Sequence, residues 1–165
     1  MILRERGKQV VVAASGKQAD PRAPGYFATF QVRHEQADLQ SEFRLLGMIP
    51  YPHLASLMRA SSAVLNPSLF EGWSTTVEEA KAMGSPMLLS DIGVHREQMG
   101  DEGVYFDRHS AQSLADALDA FMPLSEMQRE LRVDAARQAA LQRVERFAQD
   151  FVDLAEHCKN VSERP

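Results

Sequence analysis

Two carboxylates, Glu71 and Glu79, stand with seven residues between them in a segment suited to a phosphorylated ligand. A glycine follows the first, and hydroxyl residues at positions 74–76 lie where a helix should begin. The unpaired N–H groups and positive dipole end of such a helix suit a diphosphate. Glu79, about one turn into the helix, can accept hydrogen bonds from two vicinal hydroxyls, such as those of a ribose. The spacing therefore indicates a site for a nucleotide-like anion.

The same turn of helix also fits a purely structural role. Thr75-x-x-Glu78 and Thr76-x-x-Glu79 both match a capping box, in which the glutamate only satisfies backbone N–H groups. Glu78 can also pair with Lys81, three residues further on. We interpret Glu78 as structural and Glu79 as a ligand for hydroxyls, and the capping role stays open as the alternative.

Short apolar runs alternate with helical patterns along the chain. The pattern predicts strands at residues 10–14, 43–46, 63–65, 87–89 and 104–106, with helices near residues 25–39, from Pro52, and at 75–83 and 94–99. This alternation is typical of βα units and a parallel sheet. The run VVVAA at 10–14 is rich in β-branched residues, as expected of a strand covered on both faces. Because ligands bind beyond the carboxyl ends of such strands, the loop after residue 65 should carry Glu71 to that edge.

Two further helices are predicted towards the end of the chain from their apolar stripes. The first stripe contains Leu114, Ala117, Leu118 and Phe121, and the second contains Leu141, Val144, Phe147, Phe151 and Leu154. Both have the spacing of one helix face. The sequence therefore reads as one domain, residues 1–165.

The composition argues against several function classes. The net charge of −5 disfavours a nucleic-acid surface, and no apolar run has the length of a membrane span. A lone Cys158 excludes an internal disulfide and a cysteine-based zinc site, and it fits a reducing compartment. The histidines lack metal-ligand spacing, and we interpret His95 as a solvated loop residue. We expect a soluble, cytoplasmic domain without a bound metal.

The string PSLFEG-x6-E resembles the donor-site signature of retaining glycosyltransferases of family 4 ("group 1"). FRLLGMIPYPHLASLMRASSAVLNPS and SDIGVHREQMGDEGVYFD are similar to the family's segments before and after that signature. The resemblance extends over residues 10–154. It implies a Rossmann-like, doubly wound parallel sheet, the C-terminal half of a GT-B glycosyltransferase.

The resemblance also implies roles for particular residues. Glu71 would be catalytic, lying near the transferred sugar, and Glu79 would bind the ribose. The other donor-binding residues would be Gly16, Ser68, Gly72, Trp73, Ser74, Thr75 and Thr76. This chain has Ser-Thr-Thr at 74–76 where many members carry Gly-Leu-Pro, a change that adds hydroxyl donors to the phosphate contact.

As a whole, the resemblance implies transfer of a hexose from a nucleotide sugar to a glycan or lipid-linked acceptor, without cofactor or metal. The N-terminal acceptor domain and the first strand of this domain would be absent, so we expect the isolated chain to be inactive. A longer enzyme could be peripheral to the inner face of the membrane. Two alternatives remain open: a non-catalytic nucleotide-sugar-binding module, and a nucleotide-sugar epimerase or hydrolase of the same fold.

Overall fold

The computed structural model describes residues 1–19 and 21–162. The helices are α1 (Ile2–Glu5), α2 (Tyr26–Gln36), α3 (Tyr51–Ala60), α4 (Thr75–Ala82), α5 (Gly93–Met99), α6 (Ala111–Ala120) and α7 (Glu126–Ser162), with a 3-10 turn at Gly100–Glu102. The strands are β1 (Val12–Ser15), β2 (Phe43–Gly47), β3 (Val64–Asn66), β4 (Met87–Ser90) and β5 (Val104–Phe106). Every strand and helix predicted above is present, and the bounds given for each differ by at most three residues.

All strand pairs are parallel, which confirms the α/β prediction. β1 pairs with β2, and β4 lies between β3 and β5. Among the described strands, no backbone ladder joins the two-stranded sheet to the three-stranded one. β1 and β3 therefore each have a single neighbouring strand.

The buried core lies around the three-stranded sheet. Its central cluster consists of Met58, Val77, Ala80, Met87, Leu89 and Met99, contributed by α3, α4, β4 and α5. All four residues of β4 are buried, because this strand has a neighbour on each side and helices packed against it. The core therefore holds the carboxyl ends of β3 and β4 rigidly with respect to the start of α4.

The prediction that the first strand is covered on both faces is wrong. Val11 is 60% exposed, and Ala13 and Ser15, on the same face of the chain, are also exposed. One strand pairs with β1, and no described element covers this face. A run of β-branched residues identifies a strand, but its burial depends on what packs over it.

The two closing helices differ in how they pack. In α6 the predicted stripe is half-buried, whereas all five stripe residues of α7 are exposed. The first part of α7 contacts the domain through Arg129 and Arg132, which donate to the carbonyls of Ser61 and Gly84. No helix in residues 1–19 or 21–162 has both the length and the hydropathy required to cross a bilayer.

Gly84 is required where α4 ends against α7. Its φ is +68°, and a Cβ added there would lie 2.7 Å from the carbonyl oxygen of Arg132. Gly7 has a matching φ of +70° but open space around its Cβ position.

We expect Gly84→Ala to lower the free energy of unfolding by about 2 kcal/mol more than Gly7→Ala, because only the Cβ added at position 84 clashes with backbone. Urea unfolding of both variants measures the difference, and equal losses would contradict the packing described here.

Candidate functional site

Asn66, the last residue of β3, connects the end of the strand to the start of α4. Its side chain is 8% exposed. Nδ2 donates to the Ser74 hydroxyl at 2.9 Å, and Oδ1 accepts the backbone N–H of Ser68 at 3.2 Å. One buried amide thus sets both the turn after the strand and the position of the helix N-terminus. The loop that carries Glu71 lies between these two points.

The Ser68 hydroxyl orients the Glu71 carboxylate. It lies 2.6 Å from Glu71 Oε1 and 2.8 Å from Asn66 Oδ1, and its single proton can be donated to one of them at a time. The contact with the carboxylate is the stronger one, because the acceptor is charged. Glu71 is half-buried, so its carboxylate is held in place while it remains accessible. The structure therefore brings Ser68 and Glu71 together.

Ser90 and His95 support the same loop from β4 and α5. The Ser90 hydroxyl donates to the Ser68 carbonyl at 2.6 Å. His95 Nδ1 lies 2.9 Å from the Ser90 carbonyl, and since a carbonyl only accepts, Nδ1 carries the proton. His95 is fully buried, so its interpretation as a solvated loop residue is wrong. The loop position did not reveal this, because α5 turns the side chain under the carboxyl end of β4.

Gln98 on α5 is a positioning residue that the sequence analysis missed. It is 3% exposed, and Oε1 accepts the Ser74 N–H at 3.3 Å. Nε2 donates to the Ser74 carbonyl and to Glu78 Oε1, both at 2.9 Å. Its own carbonyl accepts from Lys81 Nζ. No sequence motif marks this residue, because its partners lie 17 to 24 positions away along the chain.

The start of α4 differs from both capping boxes considered above. The N-cap is Ser74, and no side chain caps the helix. Glu78 is structural, as interpreted, but its partner is Gln98, and the described residues contain no Glu78–Lys81 ion pair. The capping-box alternative for Glu79 is therefore wrong in this structure. The reason is that Gln98 already holds the backbone of Ser74.

Several groups at this helix start are free to bind. No described residue accepts the N–H groups of Thr75 and Thr76, whose side chains are exposed. Glu79 is half-buried, and within the described part of the chain its carboxylate has no hydrogen-bonding partner. The Ser74 N–H is taken by Gln98, and the Ser74 hydroxyl accepts from Asn66 but keeps its own proton to donate.

The loop between Ser68 and Ser74 is open and partly apolar. Phe70 is 85% exposed and Trp73 is 53% exposed, while Gly72 has open space around it. Arg108, which follows β5, donates to the Leu69 carbonyl at 2.8 Å and fixes the first half of the loop. The loop therefore has a fixed backbone with accessible rings at its surface.

Gly16 lies at the other sheet, where β1 and β2 end. Its φ is +147°, and its N–H donates to the Gly47 carbonyl at 3.0 Å. Both glycines line a cavity of about 380 Å³ with Lys17, Gln18 and Met48. No hydrogen bond among the described residues links Gly16 to the Glu71 loop, so the two lie at the carboxyl edges of separate sheets.

A second cavity, of about 590 Å³, opens beyond the carboxyl ends of β4 and β5. Asp91 and Arg96 form a bidentate pair on its wall, and this hydrogen bonding lowers the pKa of the Asp91 carboxyl below its usual value. The Arg96 guanidinium also stacks over the Tyr105 ring at 4.3 Å. Within residues 1–19 and 21–162, no group of His, Cys, Asp and Glu is arranged to hold a metal ion.

The fold is Rossmann-like and is shared with solved structures of GT-B glycosyltransferases. A glycosyltransferase from Rickettsia africae ESF-5 superposes with a TM-score of 0.69 at 19% identity, covering 86% of this chain and 37% of that one. The alpha,alpha-trehalose 6-phosphate synthase from Burkholderia multivorans gives a TM-score of 0.68 at 13% identity, covering 99% and 40%. At these identities the likeness concerns the fold alone.

Residues 2–139 match the family described as glycosyl transferases group 1, and the chain belongs to this family. It is 27% identical over 139 residues to a D-inositol 3-phosphate glycosyltransferase of Corynebacterium glutamicum (strain R), covering 82% of this chain and 32% of the relative. It is 27% identical over 81 residues to an O-antigen chain mannosyltransferase B of Escherichia coli, covering 49% and 21%. The chain therefore spans about a third or less of the length of these relatives.

We expect Gln98→Met to lower the free energy of unfolding by about 2 kcal/mol, because it leaves the buried N–H of Ser74 without a partner and its carbonyl with only the N–H of Glu78. Gln112→Met is the matched control, since Gln112 is exposed and makes one hydrogen bond, to Asp116. Chemical denaturation measures both variants. A loss no larger than the control's would contradict the role given to Gln98.

We also expect Arg96→Ala to raise the pKa of Asp91 towards its ordinary value. In the native protein the folded-state pKa lies below the unfolded one, so the pair stabilises at pH above about 4 and this contribution is lost as the pH falls through the lowered pKa. Carboxyl NMR titration of Asp91 measures the change. Arg129→Ala, which leaves the pair intact, should not shift it.

Proposed function

We propose that the start of α4 and the Glu71 loop bind the nucleotide sugar of a retaining glycosyltransferase. One observation carries the proposal: the half-buried Glu79 carboxylate has no partner among the described residues, one turn from helix N–H groups that are also unaccepted. A half-buried charge without a partner costs free energy unless a ligand provides hydrogen bonds to it. The helix N–H groups can donate to a diphosphate, and the Glu79 carboxylate can accept from a vicinal diol. Together they match a ligand in which a diphosphate is joined to such a diol.

Each group in the site has a distinct part in binding. The N–H groups and hydroxyls of Thr75 and Thr76, helped by the helix dipole, meet the diphosphate. Glu79 accepts from the two ribose hydroxyls, and each such bond to a charged group contributes about 1.5–3 kcal/mol. The hydroxyl of Ser74 and the ring of Trp73 lie beside the sugar. The cavity at Gly16 takes the base, where a backbone without Cβ allows close approach.

In this proposal, Glu71 is the residue nearest the reacting carbon of the sugar. The bond from the sugar carbon to the diphosphate breaks, and the electron pair leaves with the phosphate. The acceptor oxygen then bonds to that carbon on the same face, and its proton passes to the departing phosphate. The Glu71 carboxylate, held by Ser68 beside Gly72, stabilises the positive character of the sugar ring as it develops. Neither a metal nor a cofactor is part of this proposal.

The acceptor is bound by polypeptide that this chain does not contain. The coverage of the relatives, 32% and 21% of their lengths, and the single-sided pairing of β1 and β3 support an acceptor domain and a further strand in a longer protein. The isolated chain would then bind the donor weakly and transfer no sugar. We place the reaction in the cytoplasm, at the inner face of the membrane where the acceptor is lipid-linked.

A non-catalytic nucleotide-sugar-binding module is the second candidate, favoured by the same short coverage. The two candidates separate when the longer polypeptide is assayed with a glycan or lipid-linked acceptor. Sugar transfer identifies an enzyme, and release of free or epimerised sugar without an acceptor identifies an epimerase or hydrolase. Tight binding without turnover identifies a binding module.

The first experiment is a titration of the purified chain with UDP, GDP and ADP and with their glucose and mannose conjugates. Binding is detected as a rise in the thermal unfolding temperature. A ligand at 100 times its dissociation constant should add about 2.7 kcal/mol of stability. Glu79→Ala should weaken binding by at least about tenfold, since one charged hydrogen bond is worth more than 1.4 kcal/mol.

Glu35→Ala is the matched control, because Glu35 is an exposed helical glutamate on α2, outside the site. It should leave the nucleotide-dependent shift unchanged. A shift that survives in Glu79→Ala at full size would disprove the ribose role of Glu79. If no nucleotide stabilises either the chain or the longer polypeptide, the donor-site proposal itself is wrong.

A further inference from the structure

The cavity beyond the carboxyl ends of β4 and β5 takes no part in the proposed nucleotide site. Its volume of about 590 Å³ lies within the roughly 300–1,000 Å³ typical of sites for small ligands. We call it the β4–β5 cavity. The polar side chains that line it come from the ends of both strands and the starts of α5 and α6: Asp91, Arg96, Tyr105, Asp107, Arg108 and Ser113.

The charged groups of the β4–β5 cavity balance one another. It is lined by two carboxylates, Asp91 and Asp107, and by two guanidinium groups, Arg96 and Arg108. The Asp91–Arg96 pair is bidentate, with distances of 2.5 and 2.7 Å. An anion in this cavity would be repelled by both carboxylates, and a cation would be repelled by both guanidinium groups. The cavity therefore favours a neutral ligand that carries many polar groups.

Several hydrogen-bonding groups in the cavity are not used by any described residue. Arg96 bonds Asp91 through Nε and Nη2, and Arg108 also makes its two bonds through Nε and one terminal nitrogen. One terminal nitrogen of each guanidinium therefore remains available. The Ser113 hydroxyl accepts from the Asp107 N–H and keeps its own proton, while Asp107 Oδ2 accepts no hydrogen bond within the described part of the chain. Hydroxyl groups can satisfy such a mixed set, because each can both donate and accept.

Gly93, the first residue of α5, leaves open space on one wall of the cavity. A Cβ added there would meet no atom within 4 Å. A ligand can therefore approach this backbone closely. On another wall, Arg108 joins the cavity to the Glu71 loop, because its guanidinium donates to the Leu69 carbonyl at 2.8 Å.

We propose that the β4–β5 cavity is a saccharide-binding site, in addition to the nucleotide site at α4. Its ligand is a neutral glycan whose hydroxyls bond the two free guanidinium nitrogens, the Ser113 hydroxyl and the Asp107 carboxylate. Most of these bonds involve a charged partner, which makes them stronger than bonds between neutral groups. In a longer glycosyltransferase the site would hold part of a glycan chain beside the Glu71 loop. That consequence rests on the proposed function, whereas saccharide binding by this chain does not.

Amide NMR of the full chain, titrated with maltotriose or mannotriose in the absence of nucleotide, tests the site. Saturable shifts are expected at residues 91–93 and 105–108, complete by about 10 mM, as for a millimolar dissociation constant. Sodium phosphate over the same range tests the alternative ligand, an anion. Shifts caused by phosphate and by neither saccharide would overturn the proposal. An absence of saccharide-dependent shifts at these residues would overturn it as well.

Two variants test the groups that form the site. Gly93→Leu should weaken saccharide binding at least about tenfold, because its side chain fills the space that the glycine leaves open. Asp107→Asn keeps the Oδ1 that accepts the His109 N–H but replaces the free charged oxygen, so binding should weaken about fivefold. Asp134→Asn, at an exposed aspartate of α7, is the matched control and should leave binding unchanged. Thermal unfolding confirms that each variant is folded.

The variants also separate this site from the nucleotide site. Gly93→Leu should leave the nucleotide-dependent stabilisation unchanged, and Glu79→Ala should leave saccharide binding unchanged. A chain that binds saccharide at residues 91–93 and 105–108 but no nucleotide would support the saccharide site while contradicting the proposed function. Saccharide binding that survives Gly93→Leu at full strength would show that the β4–β5 cavity is not its location, and would overturn the proposal.

Discussion

The buried hydrogen bonds around Asn66 and Ser74 are the interaction on which the rest of the site depends. Asn66 joins the end of β3 to Ser74, and Gln98 fixes the backbone of Ser74 from α5. Ser90 reaches from β4 to the carbonyl of Ser68. These groups lie in a part of the protein with little exposure, where an unmatched polar atom would be costly. When all of these buried hydrogen bonds form, the loop between Ser68 and Ser74 is held in one conformation. In that conformation the Glu71 carboxylate is accessible.

The same arrangement explains why Thr75, Thr76 and Glu79 are left open. Because Gln98 occupies the Ser74 backbone, the helix needs no capping box, and the hydroxyls and carboxylate one turn further are not used internally. The position of Glu78 inside the network and of Glu79 outside it follows from their different directions on α4. The two adjacent glutamates therefore differ in their hydrogen bonding: Glu78 is bonded to Gln98, and Glu79 has no partner among the described residues.

The two halves of the chain differ in how completely they are packed. Residues 55–115 contain every buried apolar side chain of the described structure, together with the Glu71 loop. In residues 1–50, His34 is the only side chain in the described part that is buried. The site is therefore built on the rigid half, and the open surfaces lie on β1 and on the projecting part of α7. Those open surfaces have the composition of surfaces that another polypeptide covers.

The sequence alone determined the order and nature of the strands and helices, the family, and the segment at residues 66–86, because periodicity and local motifs are properties of neighbouring residues. It did not identify Gln98 or the burial of His95, since both act through partners on other elements. It also could not show that one face of VVVAA and the apolar stripe of α7 are exposed, since an apolar face indicates what can be buried and not what covers it. Only the tertiary structure decided these points, because burial and hydrogen bonding between distant residues depend on how the elements are placed against one another.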